Sequence, residues 1–142
     1  MSSDTLSAQF LTWRRLMQAL ILLAHGSRHR ATAKEVAALT TTVDQTVAAH
    51  SVRYAFLEVA EPTLPEAIEQ AVREGATSVD VLPLFLNTGN HIARDIPNLV
   101  AQAQALHPQL RIQLLKHIGS HPAYTALVEA VARNPNKYVV NA

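Results

Sequence analysis

The chain has 142 residues, 49% of them apolar and 16% charged, with a formal net charge of +1. Those values suit a single globular domain with a sizeable core, argue against intrinsic disorder, and give no reason to expect nucleic acid as the main partner. There is no cysteine, which removes disulfides, thiolate nucleophiles, zinc fingers and cysteine-held iron–sulfur clusters and leaves imidazole and carboxylate as the metal ligands.

Residues 1–18 read as an extension ahead of the domain. Phe10, Leu11, Trp13, Leu16 and Met17 surround Arg14 and Arg15 there, a pattern that fits a short amphipathic helix. The order of a signal peptide, a basic start followed by an apolar run and a small-residue cleavage site, is missing. No apolar run reaches the length of a membrane span. A cytoplasmic protein with no membrane partner is the expectation.

From Ala19 the pattern alternates strand and helix four times. Ala19 to Ala24 reads as a buried strand, and Ala31 to Ala49 as a helix with Val36, Leu39, Val43 and Val47 on one face. Val52 to Leu57 is a second strand. Thr63 to Glu74 is a second helix, capped by Thr63, with Pro65 in its first turn, Gly75 at its end, and Leu64, Ala67, Ile68, Ala71 and Val72 as its buried stripe. Ser78 to Leu86 is a third strand, with Pro83 a warning about its far end. A third helix runs from about Ile92 to Leu106 and buries Ile96, Leu99, Val100 and Ala103. Arg111 to Leu115 is the fourth strand, and Gly119-Ser120-His121-Pro122 opens a last helix carrying Tyr124, Leu127, Val128 and Val131. Residues 135–142 are a tail in which Tyr138 to Val140 could pack locally.

Alternating βα units imply an α/β fold of three layers, αβα: a four-stranded parallel sheet with helices on both faces and right-handed crossovers. The flavodoxin-like strand order 2-1-3-4 is the natural arrangement. It makes strands 1 and 3 neighbours, about 4.8 Å apart, and places the topological switch point, where open α/β sheets bind ligands, at their carboxyl ends.

Two histidines fall at that point. Leu20-Ile21-Leu22-Leu23-Ala24 runs directly into His25-Gly26-Ser27-Arg28, and His91 lies just beyond the third strand. Glu58 leaves the second strand on the other side of strand 1. A carboxylate and two imidazoles would then share one cleft, able to hold a divalent metal with positions left open or to take protons. Each histidine also fits a structural reading in which it bonds only loop backbone. Ser27, Arg28, Arg30 and Arg94, with Lys34, would suit an anionic substrate, although loop arginines are commonly just solvated and Ser27 fits a helix cap. Glu61 reads as a solvated or helix-start acid. His117 and His121 read as structural, and His29, His50 and His107 as surface residues. No Walker loop, dinucleotide glycine pattern or nucleophile elbow is present.

These residues together resemble the class II tetrapyrrole chelatases, in particular the short-form sirohydrochlorin chelatases. The resemblance runs from about Ala19 to Arg133. It rests on Leu22-Leu23-Ala24-His25-Gly26-Ser27-Arg28, on Phe56-Leu57-Glu58 to Pro62, and on Leu82-Pro83-Leu84-Phe85-Leu86 through Gly89, His91 and Asp95-Ile96-Pro97. It implies insertion of cobalt or ferrous iron into sirohydrochlorin, in cobalamin or siroheme biosynthesis. It implies His25 and His91 as metal ligands that also take part in proton removal, and Glu58 as the active-site glutamate. No cofactor is implied beyond the divalent metal that is itself substrate, with nickel a further candidate. The many carboxylates of sirohydrochlorin would give Arg28, Arg30 and Arg94 a task, and a homodimer is implied, because a large macrocycle needs more walls than one such domain offers.

Two other readings compete. A non-catalytic metal or tetrapyrrole carrier would need the same ligands. A histidine phosphatase also places His-Gly after its first strand, but with arginine immediately before the histidine, where this chain has Ala24.

Overall fold

Four short apolar runs pair into one parallel sheet of order β2-β1-β3-β4 in the computed structural model, which describes residues 3–141. The strands are β1 (Gln18–Ala24), β2 (Ser51–Phe56), β3 (Ser78–Pro83) and β4 (Arg111–Leu114), and the helices are α1 (Ser3–Met17), α2 (Arg30–Thr46), α3 (Leu64–Arg73), α4 (Ile96–Leu106) and α5 (Pro122–Arg133). Residues 1 and 2 of the expected extension and residue 142 of the expected tail lie outside the described residues. The expected strand order is the observed one. β1 sits at the centre because its run is apolar on both faces, as a parallel strand covered from both sides must be; Ile21, Leu22 and Leu23 are all buried.

Alternation along the strands splits the side chains between two faces. Ala19, Ile21 and Leu23 share one face with Ala55, Val79 and Val81, and meet Leu64, Ala67, Ile68 and Ala71 of α3 and Ile96 and Ala103 of α4 in a single core. α3 forms here because its start is locally specified. The Thr63 hydroxyl accepts from the Glu66 N–H at 3.4 Å while the Glu66 carboxylate accepts from the Thr63 N–H at 3.2 Å. At its other end Arg53 and Gln70 both donate to the Glu74 carboxylate and hold its pKa below the ordinary carboxylate value, Arg53 contributing more. That contact stabilises the fold above the unfolded-state pKa and is lost as acid protonates Glu74. The other face is covered by α2 over β2.

Several expectations shift. The inward residue of α2 is Thr40, whose hydroxyl is satisfied by the Val36 carbonyl at 2.7 Å, while Leu39 points out and is 45% exposed. β3 ends at Pro83, three residues short of Leu86, since the ring removes a ladder N–H and the chain turns. The third helix opens with a π-helical turn, His91–Asp95, before α4 proper. α5 buries none of its residues, so its apolar stripe does not reach the core of its own domain. α1 runs without a break into β1 and is held at its base by Arg15, which donates to Asp44 at 2.8 Å and to the His50 carbonyl at 3.3 Å. Among the described residues no helix is long and apolar enough to cross a membrane.

Ile68 is 1% exposed at the centre of the α3–sheet contact. Ile68→Ala should lower stability by about 2–5 kcal/mol, since it removes buried methyl groups and leaves a cavity. Urea unfolding measures this, and a loss under about 1 kcal/mol would mean that α3 does not close the core as described.

Candidate metal centre

Pairing between β1 and β2 continues past the ends of both strands. The Leu57 N–H donates to the Ala24 carbonyl at 2.9 Å and the Glu58 N–H to the His25 carbonyl at 3.0 Å. His25 and Glu58 are therefore locked side by side on adjacent loops. Gly26 makes this possible. Its φ is +103°, and a Cβ there would lie 1.8 Å from the Glu58 carbonyl oxygen, so no side chain fits. Beyond Glu58, Val59 takes φ 71°, a conformation that a β-branched residue adopts only under constraint and that clusters at functional sites.

His91 arrives from the other side of β1. It opens the π-helical turn, a form found most often at functional sites, and its Nδ1–H donates to Asp95 Oδ2 at 2.8 Å. His25 is oriented in the same sense, with Nδ1 3.1 Å from the Gly26 carbonyl. The Asp95 carboxylate only accepts, so His91 carries a proton on Nδ1 and turns the lone pair of Nε2 outward, whereas His25 has an acceptor at each nitrogen, the Gly26 carbonyl at Nδ1 and the Glu58 carboxylate at Nε2.

The two Nε2 atoms face each other. His25 Nε2 lies 3.3 Å from His91 Nε2 and 2.9 Å from Glu58 Oε1. One ligand atom from each of the three residues falls within 4.8 Å of the others. A proton on His25 Nε2 bridges to Glu58 Oε1 at 2.9 Å, and a divalent cation can take its place among the three ligand atoms. Two nitrogens each about 2.0–2.1 Å from a common divalent ion at a tetrahedral angle would be roughly 3.3 Å apart, and a nitrogen–oxygen pair at a right angle roughly 2.9 Å apart. The observed separations match both.

The site is open. The side chains of His25, Glu58 and His91 are 47%, 50% and 39% exposed, as a centre that must exchange its ion requires. Phe85 forms the floor, its ring 6.2 Å from His25 and 6.4 Å from His91. Beside the cluster lies a hollow of 290 Å³ lined by Leu57, Glu58, His91, Asp95, Asn98 and Leu99. Larger hollows, of 470 and 560 Å³, lie beside Leu110 and along the β2 edge, away from the cluster.

The structure thus brings His25, Glu58 and His91 together. It spends Ser27 on the loop, where the hydroxyl accepts from the His29 N–H at 3.0 Å, and His29 in turn caps α2. Arg28, Arg30 and Arg94 are exposed and, among the described residues, make no hydrogen bond or ion pair. Glu61 is exposed, and His121 caps α5 as its position before Pro122 predicts. Sequence reasoning missed Asp95 and Phe85. The i,i+4 spacing of His91 and Asp95 was the available signal for the first, and nothing local distinguished the second.

A family model for CbiX matches residues 19–134. The chain belongs to the CbiX family. Its β1 to α5 region is the CbiX-like part, and α1 lies ahead of the match. Among curated CbiX-like relatives, it is 34% identical over 104 residues to the sirohydrochlorin ferrochelatase of Bacillus subtilis, covering 73% of this chain and 40% of that protein. It is 35% identical over 91 residues to the sirohydrochlorin cobaltochelatase of Methanocaldococcus jannaschii, covering 64% of each. The chain therefore spans less than two thirds of either relative. The sirohydrochlorin chelatase SirB of Bacillus subtilis subspecies spizizenii, solved in complex with cobalt, superposes with a TM-score of 0.74 at 35% identity over 85% of this chain and 50% of that one. A CbiX protein of Marinobacter aquaeolei superposes with a TM-score of 0.74 at 27% identity over 86% of this chain and 99% of that one.

Asp95 fixes the tautomer and direction of His91, a role whose loss typically weakens metal affinity by about 10–100-fold. Asp95→Ala should produce a loss of that size in cobalt(II) affinity by calorimetric titration, with the melting temperature little changed. Unaltered affinity would show that Asp95 does not orient the ligand.

Proposed function

We propose that this chain inserts a divalent metal ion, cobalt or ferrous iron, into sirohydrochlorin. The observation that carries the reading is the gathering of one ligand atom each from His25, His91 and Glu58 within 4.8 Å of one another at an open sheet edge. The names of its CbiX-family relatives point to the same substrate pair. Nickel suits the same ligands.

Insertion exchanges two pyrrole N–H protons for one divalent ion, so the site must hold a metal and remove protons. His25 Nε2 and His91 Nε2 hold the incoming ion. Glu58, 2.9 Å from His25 Nε2, accepts one pyrrole proton, and an imidazole released as the ion passes to the ring takes the second. The ion must leave as readily as it arrives, and the exposure of all three ligands permits this. Phe85 and the wall of Leu57 and Leu99 offer apolar surface to the flat ring, while Arg28, Arg30 and Arg94, free of other partners, meet its carboxylate arms. A hollow of 290 Å³ falls at the lower end of the roughly 300–1,000 Å³ of ordinary ligand pockets, too little for a macrocycle. A homodimer supplies the missing wall. With no membrane-spanning helix among the described residues, a cytoplasmic enzyme of cobalamin or siroheme synthesis fits this reading.

The test follows metal insertion by absorbance with cobalt(II) and with ferrous iron. His25→Ala and His91→Ala should each slow insertion by on the order of 10²-fold or more, the scale of losing a positioned acid–base group. Full rates in both variants would sink the assignment, and wild-type insertion that stops after one equivalent would identify a carrier instead.

A further inference from the structure

Two exposed apolar side chains stand on the loops that carry the metal ligands. Val59 follows Glu58 directly and is 59% exposed, and Leu86 lies between β3 and His91 and is 51% exposed. The other large apolar side chains that are exposed among the described residues lie on α1, α2, α5, the end of α4 and residues 138–140. Single exposed leucines and valines are ordinary on a protein surface. These two differ in how their backbone is held.

The Ala60 N–H donates to the Glu58 carbonyl at 2.8 Å. With φ 71° at Val59, that bond closes a γ-turn of the rare, strained hand. Glycine takes such a conformation freely, and a β-branched residue takes it worst. The turn holds because the same Glu58 carbonyl is packed on Gly26, where a Cβ would lie 1.8 Å away, while the Glu58 N–H is bonded to His25. Position 59 therefore carries a side chain that strains its own turn and that the core does not use, the kind of outlier that clusters at functional sites. Leu86 is fixed from the other side. A Cβ on Gly119 would lie 1.8 Å from the Leu86 carbonyl oxygen, and the Gly119 N–H donates to the Phe85 carbonyl at 3.0 Å.

We propose that Val59 and Leu86 are two grips on the macrocycle, taking the flat apolar ring from opposite sides and centring it over His25 and His91. β1 lies between β2 and β3, so the two loops stand two strand spacings, roughly 10 Å, apart, with His25 between them. Charge cannot do this centring. Arg28, Arg30 and Arg94 meet only the carboxylate arms at the periphery, through long and flexible side chains, and the ring would still slide. Transfer of the ion needs the ring nitrogens held in register with the metal, since a displacement of about 1 Å can cost about 100-fold in rate. Short side chains on a fixed backbone supply that, valine with its stiff χ1 above all. Apolar contact also selects for a ring, because a hydrated ion or a free carboxylate gains nothing from it. The proposal rests on the insertion reading above and adds the residues that recognise the ring.

Val59→Gly removes one grip and keeps the turn, since glycine takes φ 71° freely. Leu86→Ala removes the other from an exposed position. Metal-free sirohydrochlorin is titrated into each chain and followed by fluorescence at low and at high salt, with cobalt(II) affinity and melting temperature measured alongside. Covering the exposed half of such a side chain is worth a factor of about 5–20 in affinity. We expect ring affinity to fall by that factor in each variant at both salt concentrations, because salt screens the arginine contacts and leaves the apolar ones. Cobalt affinity should be unchanged, Val59→Gly should melt no lower than the wild type, and Leu86→Met, which keeps the volume, should retain the ring. A smaller loss in either variant would overturn the grip, as would a wild type with no measurable ring affinity. A fall in cobalt affinity, or a less stable Val59→Gly, would also overturn it by placing these side chains in the metal centre or the core. A wild type that binds ring and cobalt but inserts none would retire the insertion reading and leave the grip standing, provided both variants lose the ring. Full insertion with ring affinity unaltered in both variants would do the reverse.

Discussion

Everything at the metal cluster depends on one close approach, the α-carbon of Gly26 against the carbonyl oxygen of Glu58. It lets the β1–β2 pairing run one step beyond the strands, so that a histidine and a glutamate from different loops are placed by backbone hydrogen bonds rather than by loop flexibility. Loops positioned by a rigid scaffold are where functional residues concentrate. The central position of β1 does the rest, because the strand on its other side delivers His91 to the same edge. A side chain at position 26 would separate His25 from Glu58 without touching either.

Electrostatics then decides what the cluster accepts. His91 spends its Nδ1–H on Asp95, His25 stands between two acceptors, and the Glu58 carboxylate completes the group. The group takes either a proton, between His25 and Glu58, or a divalent cation in its place. Partial exposure keeps the ion exchangeable: a buried set of the same ligands would hold it as a structural metal, whereas an open set can pass it to a nitrogen macrocycle arriving from solvent. The absence of cysteine works in the same direction, because thiolates would retain soft ions more firmly than imidazole and carboxylate do.

The sheet and the cluster were legible in the sequence for linked reasons. Apolar runs separated by helical periodicity dictate a parallel sheet. Right-handed crossovers limit the strand orders, and residues directly after the strands must then fall at one edge. His25 and Glu58 were readable because they sit within two residues of strand ends, and His91 because the apolar run of β3 leads towards it, eight residues beyond Pro83. What lay farther from the backbone pattern was not. Leu39 and Thr40 are adjacent in a helix, and hydropathy favours the wrong one; Thr40 is buried because a hydroxyl can be satisfied by its own helix at Val36. The π-helical turn His91–Asp95 adds a residue to the first turn of this helix, which periodicity does not show. Pro83 marked the end of β3 more sharply than the apolar run through Leu86. The α5 stripe reads as a buried face in the sequence, yet none of its residues is buried in the structure.

The central claim is that His25, His91 and Glu58 bind one divalent ion together. X-ray absorption of the cobalt(II)-loaded chain tests it most directly, because imidazole gives a distinctive multiple-scattering signature. The account predicts one tightly bound cobalt per chain with two imidazole nitrogens in its inner sphere, and loss of one imidazole in either His25→Ala or His91→Ala. A cobalt surrounded only by oxygen, or a spectrum unchanged by both substitutions, would contradict it.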